Sequence, residues 1–548
     1  MLLLCAVGRL VGVPSRATAA PTQSIASSDT TVLGVVWTPP APTDSALREL
    51  NRIDRVGATA VRLTRLPSDT VAARATTLGL RLYVDLPVDH IPASQLRDAL
   101  KQVQPGLERL QALARRHRAI THVGLARGAE TTAPAACDVL RAWTDRLRKS
   151  TLSIDTYYVT PFAPTVDRCA GAVDRVLLDL RGHPAPAERW HQWQSQTQTA
   201  GIGALGTWMY ASVPPGLQTP HSSERQARYL EHALSGLLDS SRTSPPTLFV
   251  ARWQDQASPL LPTRHYGLHR ADGAPRPAAR VVQGFYTGTQ RVFAFPSGPK
   301  LSLEDPGLLL FGWGLVVLLG GLYAQSLFVR QTVARYFRAP GFYRDALRDG
   351  HDLSAGANGL LLAILAGALG TAALRTAELA ASSPAAEHVL ATLPPPLQIT
   401  LGGALEHPIA AGIAVGGSTG ALLLTWATVL VLLARGWTRF SPPQALMLVV
   451  WPCWPVLLAL PLALATGPDA PLSPAWFGLL LLGGAPLVLL SITGRVLFDY
   501  WAVTDLPAWP LLLAVALSPP PLGGIALIAL TAGYDLSFPF LWHLATHT

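Results

Sequence analysis

Gly57-Ala58-Thr59-Ala60-Val61-Arg62-Leu63 and, one helix-length later, Leu78-Gly79-Leu80-Arg81-Leu82-Tyr83-Val84-Asp85 decide the fold. Each is a short apolar and β-branched run with polar turns around it, and the segment between them has helical periodicity. The same unit recurs on both sides. Strands are expected at Val32 to Trp37, Ala60 to Arg65, Leu80 to Leu86, Ile120 to Ala126, Thr156 to Phe162, Arg175 to Leu180, Gly201 to Met209 and Thr247 to Trp253. Eight strands alternating with helices over about 250 residues are what a (β/α)8 barrel requires, whereas an open doubly wound sheet would need fewer.

Beyond this unit the composition changes. From about residue 306 nearly every window of about 20 residues is dominated by Leu, Ala, Val and Gly. With a mean hydropathy of +0.29 and 14% charged residues, the 548-residue chain is too apolar for an ordinary soluble protein. The expected organisation is a signal-like segment at 1–20, an α/β barrel at 30–285, a linker at 286–305, an all-α polytopic transmembrane domain of about six helices at 306–533 and a tail at 534–548.

The net charge of +9 does not point to nucleic acid, because the basic residues form no contiguous run interleaved with aromatics. Cys5, Cys137, Cys169 and Cys453 lack metal-ligand spacing, and no glycine-rich phosphate loop occurs outside the apolar spans. No metal or cofactor is therefore expected. Cys137 and Cys169 both fall in the polar half, where a disulfide and two buried thiols are alternative readings. His90, His183, His221 and His265 lie in loops without a Ser or Cys hydrolase motif.

Leu2-Leu3-Leu4-Cys5-Ala6-Val7, followed by Ala17-Thr18-Ala19-Ala20, has the apolar core and small-residue exit of an export signal, with cleavage expected near Ala19 or Ala20. Spans are expected at 306–329, 357–376, 408–434, 444–466, 474–494 and 508–533. Arg330, Arg335, Arg338, Arg344 and Arg348 follow the first, Arg435 and Arg439 the third, and Arg495 the fifth. By the positive-inside rule the odd spans exit into the cytoplasm and the barrel lies outside, in a bacterial inner membrane. Scarce intramembrane charge argues against an ion-coupled transporter.

Several segments of the polar half resemble the barrel domain of family 2 glycoside hydrolases, the β-galactosidase type. Gly34-Val35-Val36-Trp37 is similar to that family's opening strand, the two runs quoted at the outset to its second and third, and Glu224, Gln226, Ala227 and Tyr229 to its seventh helix. Phe249 to Asp255 resembles its eighth strand, and Tyr266-Gly267-Leu268-His269-Arg270-Ala271-Asp272-Gly273-Ala274-Pro275-Arg276-Pro277-Ala278 its closing segment. The helical half loosely resembles Yip-type membrane domains in span count and in a Pro-containing amphipathic segment before the spans.

Retaining hydrolysis needs two carboxyl groups about 5 Å apart, one protonating the leaving oxygen and one attacking the anomeric carbon. The resemblance places the acid/base at Glu130, although the Asn expected before it is Ala129. It places the nucleophile at Ala204, which cannot attack or stabilise an oxocarbenium ion. Asp85, Asp179 and Asp255, near other strand ends, are the candidate replacement carboxylates. Arg62, Tyr157, Trp208 and Trp253 are the candidate sugar-binding residues, since aromatic faces bind sugar rings without a catalytic carboxylate. The expected function is binding or sensing of an extracytoplasmic carbohydrate with retaining catalysis lost. An active glycosidase using Glu130 with a displaced carboxylate, and a membrane-organising or transport protein with a structural barrel, are the alternatives.

Overall fold

The computed structural model describes residues 31–149, 154–210, 213–240, 247–256, 258, 260, 265–298, 306–350, 353–381, 383–435, 437–466 and 484–547. The signal-like segment at 1–20 lies outside the described residues. So do residues 474–483 of the expected span at 474–494.

Eight parallel strands close into a barrel in sequence order. They are β1 (Val32–Trp37), β2 (Ala60–Leu63), β3 (Arg81–Asp85), β4 (Ile120–Arg127), β5 (Asp155–Thr160), β6 (Arg175–Asp179), β7 (Ala200–Leu205) and β8 (Thr247–Val250). β8 pairs back onto β1, with Gly34 opposite Phe249, which excludes the open doubly wound sheet. β2, β5, β7 and β8 end earlier than the apolar runs suggested, because their last residues leave the ladder to form the rim.

The surrounding helices follow from amphipathic spacing. In Thr43–Arg55, residues Ala46, Leu50 and Ile53 fall on one buried face, and Arg52 and Arg55 occupy the last turn, where a helix dipole favours cations. Asp69–Leu78 begins where the Ser68 side chain accepts a hydrogen bond from the Val71 amide. Two apolar layers result. Val32, Val36, Ala60, Tyr83, Tyr157, Val159, Leu177 and Phe249 fill the barrel interior. A larger layer, including Trp37, Leu50, Leu82, Val84 and Trp253, lies between strands and helices. A disulfide joins Cys137 to Cys169, settling the pairing that spacing left open.

In the C-terminal half, Ala355–Ala381, Pro408–Ala434, Pro442–Leu464 and Ala485–Thr504 are long and apolar enough to cross a bilayer. Among the described residues the number is up to six if each of two bent pairs is one span: Leu310–Gln325 with Leu327–Arg338, bent by 93°, and Ala508–Ala516 with Pro519–Gly533, bent by 49°. The second bend coincides with Pro519, whose missing amide hydrogen cannot continue the preceding helix. Ala355–Ala381 and Pro408–Ala434 pack at backbone distance. A Cβ added at Gly370 would stand 2.7 Å from the Gly412 carbonyl oxygen, so the close approach requires glycine there.

The barrel does not hang free of these helices. Its C-terminal rim is covered by Pro384–Thr392 and Pro395–Glu406, which follow the second candidate span, and by Phe538–His547, which follows the sixth. Leu390 and Leu405 pack with Ala204, Trp208, Ala251 and Tyr266, while Phe540 and Leu544 pack on Phe162. Polar contacts frame this apolar seam. The Tyr210 hydroxyl donates to the Leu405 carbonyl (3.0 Å), His265 Nε2 lies 2.9 Å from Glu406 Oε1, and Gln95 Nε2 donates to the Asp535 carbonyl (3.2 Å).

Candidate functional site

In a barrel of parallel strands the residues that do chemistry project from the C-terminal strand ends. Here those ends surround a cavity of about 180 Å3 lined by Arg62, Arg127, Asp179, Arg181, Ala204 and Arg252, among others, with Ala391 and Gln398 of the covering helices as its roof. β2 supplies Arg62, β4 ends in Arg127, β6 ends in Asp179 with Arg181 two residues on, and Arg252 follows β8. The site is therefore an arginine-rich floor beneath an apolar and amide lid.

Arg62 crosses the barrel interior. Its Nε and Nη2 donate to the two Asp85 oxygens at 3.1 and 2.7 Å, and Nη1 donates to the Gly203 carbonyl on β7 at 2.9 Å. The Tyr157 hydroxyl donates to the same Asp85 carboxylate at 2.6 Å. This reach depends on the missing side chain at 203, where a Cβ would sit 2.9 Å from the Leu177 Cβ and 3.3 Å from Arg62 Nη1. Burial opposes the Arg62 charge, but Asp85 and the partners around it outweigh burial and hold the guanidinium charged.

A second fork joins the barrel to its cover. Arg181 donates from Nε and Nη2 to Asp179 at 2.8 and 2.7 Å, and its Nη1 lies 2.9 Å from Glu387 Oε1 on Pro384–Thr392. Asp179 and Glu387 are buried, and the Arg181 side chain is 11% exposed. Burial disfavours the Asp179 charge, yet Arg181, His388 and His90 more than compensate and hold its carboxyl well below the usual range. Glu387 goes the other way: burial, only partly offset by Arg181 and reinforced by Asp179, pushes it up to about 7. Burial presses the neighbouring His388 down to about 4.

These opposite shifts give a pH prediction. A carboxyl whose folded pKa is raised binds its proton more tightly when folded, so its contribution to stability falls as pH rises from about 4.5 to about 7. His388, depressed in the fold, contributes the opposite slope over an overlapping window, so the wild type alone conceals the effect. The stability difference between wild type and Glu387→Gln isolates it. Relative to the variant, the wild type should lose about 1–3 kcal/mol between pH 4.5 and 7, read by denaturant unfolding of the solubilised full chain. A difference that stays flat across that range contradicts the assignment.

The residues singled out in the sequence separate into groups. Arg62, Asp179 and Ala204 line the cavity, and Asp85 and Tyr157 lie beneath it on Arg62. Glu130 does not line it. One of its carboxylate oxygens accepts from the Ala93 amide at the start of Ala93–Gln102 (3.1 Å), and the other lies 3.3 Å from His543 Nδ1. Asp255 accepts from the Gly267 amide (2.6 Å), pairs with Arg276 (2.6 Å), and borders a separate cleft of about 830 Å3. Trp208 packs under the covering helices, and Trp253 lies in the layer outside the strands, 4.3 Å from the His269 ring between centroids.

Sequence reasoning missed Arg127, Arg181, Arg252, Glu387 and Gln398. The three arginines were readable in principle, since each ends or closely follows a strand whose C-terminal end must face the rim. Glu387 and Gln398 sit in a stretch between apolar spans, where nothing local marks a contact with the barrel.

No family model matches this chain, and no curated protein matches it. Among solved structures, a family 2 β-galacturonidase from Eisenbergiella tayi, bound to galacturonate, is similar at 14% identity and a TM-score of 0.43 over 48% of this chain and 52% of its own. A β-glucuronidase from Ruminococcus gnavus, in complex with D-glucaro-d-lactam, is similar at 16% identity and a TM-score of 0.42 over 47% of this chain and 49% of its own. The chain thus spans about half the length of each of these structures.

Proposed function

We propose that this chain is a membrane-held, extracytoplasmic carbohydrate-binding or sensing protein whose barrel has lost retaining glycoside hydrolysis. The observation that carries this reading is the state of the rim carboxylates. Ala204 occupies the β7 position that lines the cavity, while Asp85 and Asp179 are each forked on an arginine. A forked carboxylate is a poor nucleophile, because attack requires breaking two charge-assisted hydrogen bonds in a buried site. Glu130, the carboxyl on which an active glycosidase would depend, is turned to a helix N-terminus and to His543 instead.

Two independent features support the placement of the barrel outside. The segments that cover its rim follow the second and sixth candidate spans, the side to which the arginine distribution assigns the exterior. Arg348 lies at the other end of the helices, paired with Asp505 (3.0 Å) just after Ala485–Thr504, whereas Arg495 sits inside that helix and pairs with Asp499 (2.8 Å). A disulfide also belongs to an oxidising compartment.

Calorimetric titration of the full chain in nanodiscs with neutral and acidic monosaccharides tests the reading. Saturable binding is expected, and it should disappear in Ala204→Leu, which fills the cavity. Heats indistinguishable from dilution for every sugar would sink the proposal.

A further inference from the structure

The cavity at the rim is charged out of proportion to its size. Among the described residues, four guanidinium groups, Arg62, Arg127, Arg181 and Arg252, line it against two carboxylates, Asp89 and Asp179. Those two are already engaged, Asp89 with Arg127 and Asp179 with Arg181, both at 2.7 Å. Asp85 and Glu387 stand behind Arg62 and Arg181 and are not part of the lining. Among the described residues the lining therefore carries more guanidinium than carboxylate groups, with Arg62 and Arg181 also paired from behind.

Two details indicate an anion rather than a neutral group. Arg127 Nε is buried and has no hydrogen-bond partner among the described residues. Arg252 is only 9% exposed, and burial, then the facing Arg127 and Arg181 cations, press its guanidinium down to about 10. Cations that repel one another in a low-dielectric site are stabilised when an anion enters between them.

We infer that the rim cavity is a phosphate-binding site, with Arg252 and Arg127 donating to the phosphate oxygens of a sugar phosphate or a lipid phosphate headgroup. This deepens the reading of the rim as a carbohydrate site and rests on it. Arginines arriving from β4, β6 and β8 converge from different directions, which suits a tetrahedral oxyanion better than a planar carboxylate held in one fork. At about 180 Å3 the cavity is smaller than the roughly 300–1,000 Å3 of ordinary small-molecule sites, so it takes a headgroup or one ring rather than an oligosaccharide.

Both sources of phosphate are compatible with the surroundings. Ala391 and Gln398 roof the cavity from segments joining two candidate spans. An apolar groove of about 850 Å3 runs along those spans from Gly359 to Glu378, and Ala377 and Ala381, at that end, share an apolar cluster with Ala204 and Trp208. A lipid-borne phosphate at the cavity would have its chain on that side.

The test uses the full chain in phosphatidylcholine nanodiscs, titrated with inorganic phosphate, glucose 1-phosphate and glucose, and in parallel reconstituted with and without phosphatidic acid and followed by thermal unfolding. Wild type, Arg252→Gln, Arg127→Gln and the surface control Arg291→Gln are compared. Soluble phosphates that bind, with affinity reduced roughly tenfold to a hundredfold in Arg252→Gln and Arg127→Gln but not in the control, support the site with a soluble source. Stabilisation by phosphatidic acid alone, lost in the same two variants, supports it with a lipid source. If Arg252→Gln fails to fold, the more exposed Arg127 gives the same comparison. No response to any phosphate, or a response that both variants retain, overturns the inference. Phosphate binding without any sugar binding would leave this site standing while removing the carbohydrate reading; sugar binding untouched in both variants would do the reverse.

Discussion

Arg181→Ala is expected to destabilise the full chain by about 3–5 kcal/mol, among the largest effects of any single substitution outside the apolar core. Removing the guanidinium leaves Asp179 buried without its fork and Glu387 buried without its counter-charge. Neither can recover water, because the Pro384–Thr392 helix covers both. The substitution also severs a polar tie between the barrel and the helical half, so the barrel should unfold at lower denaturant than the helices and split one transition into two. Tryptophan fluorescence read beside far-ultraviolet circular dichroism would resolve this. A double variant, Arg181→Met with Asp179→Leu, should recover part of the loss, since it removes one buried charge along with the guanidinium. A loss below about 1 kcal/mol, the range of exposed pairs, would mean that the rim is open to solvent and that its cover does not sit where the structure has it.

Arg62→Ala should have a comparable effect, about 3–5 kcal/mol, for a different reason. Arg62 is 1% exposed and links β2, β3 and β7 through Asp85 and the Gly203 carbonyl. Its loss leaves the Asp85 carboxylate with the Tyr157 hydroxyl and opens a void between strands that no neighbour can fill. Combining Arg62→Ala with Asp85→Asn should give a coupling of about 2–3 kcal/mol between the two sites in a double-mutant cycle. Additive losses would show that the fork contributes nothing beyond its separate side chains.

Both effects arise at residues that the sequence made visible to different degrees. The barrel was legible because strand and helix periodicities alternate eight times, and each apolar run lies within a few residues of the strand it becomes. Arg62 was singled out as a sugar-binding candidate and Asp85 as a candidate carboxylate, and in the structure they bind each other. The helical spans were legible from composition, although the bends at Ser326 and Pro519 depend on local breaks that a hydropathy window averages away. Glu387 was not legible. Its role exists only because the segment after the second span folds back over a rim formed some two hundred residues earlier, and pairing at that separation leaves no local trace. Glu130 illustrates the converse: its position matched a catalytic pattern, but the backbone after β4 directs the carboxylate to the Ala93 amide.

The central claim is that the rim binds without hydrolysing, and a single-turnover assay tests it most directly. Purified full chain in nanodiscs, in molar excess over a panel of aryl β-glycosides that includes glucuronides and galacturonides, is followed for release of the aryl group. The account predicts release no faster than in buffer, for wild type and Glu130→Gln alike. Release of aryl group approaching one per substrate molecule, abolished in Glu130→Gln, would contradict it and establish an active glycosidase.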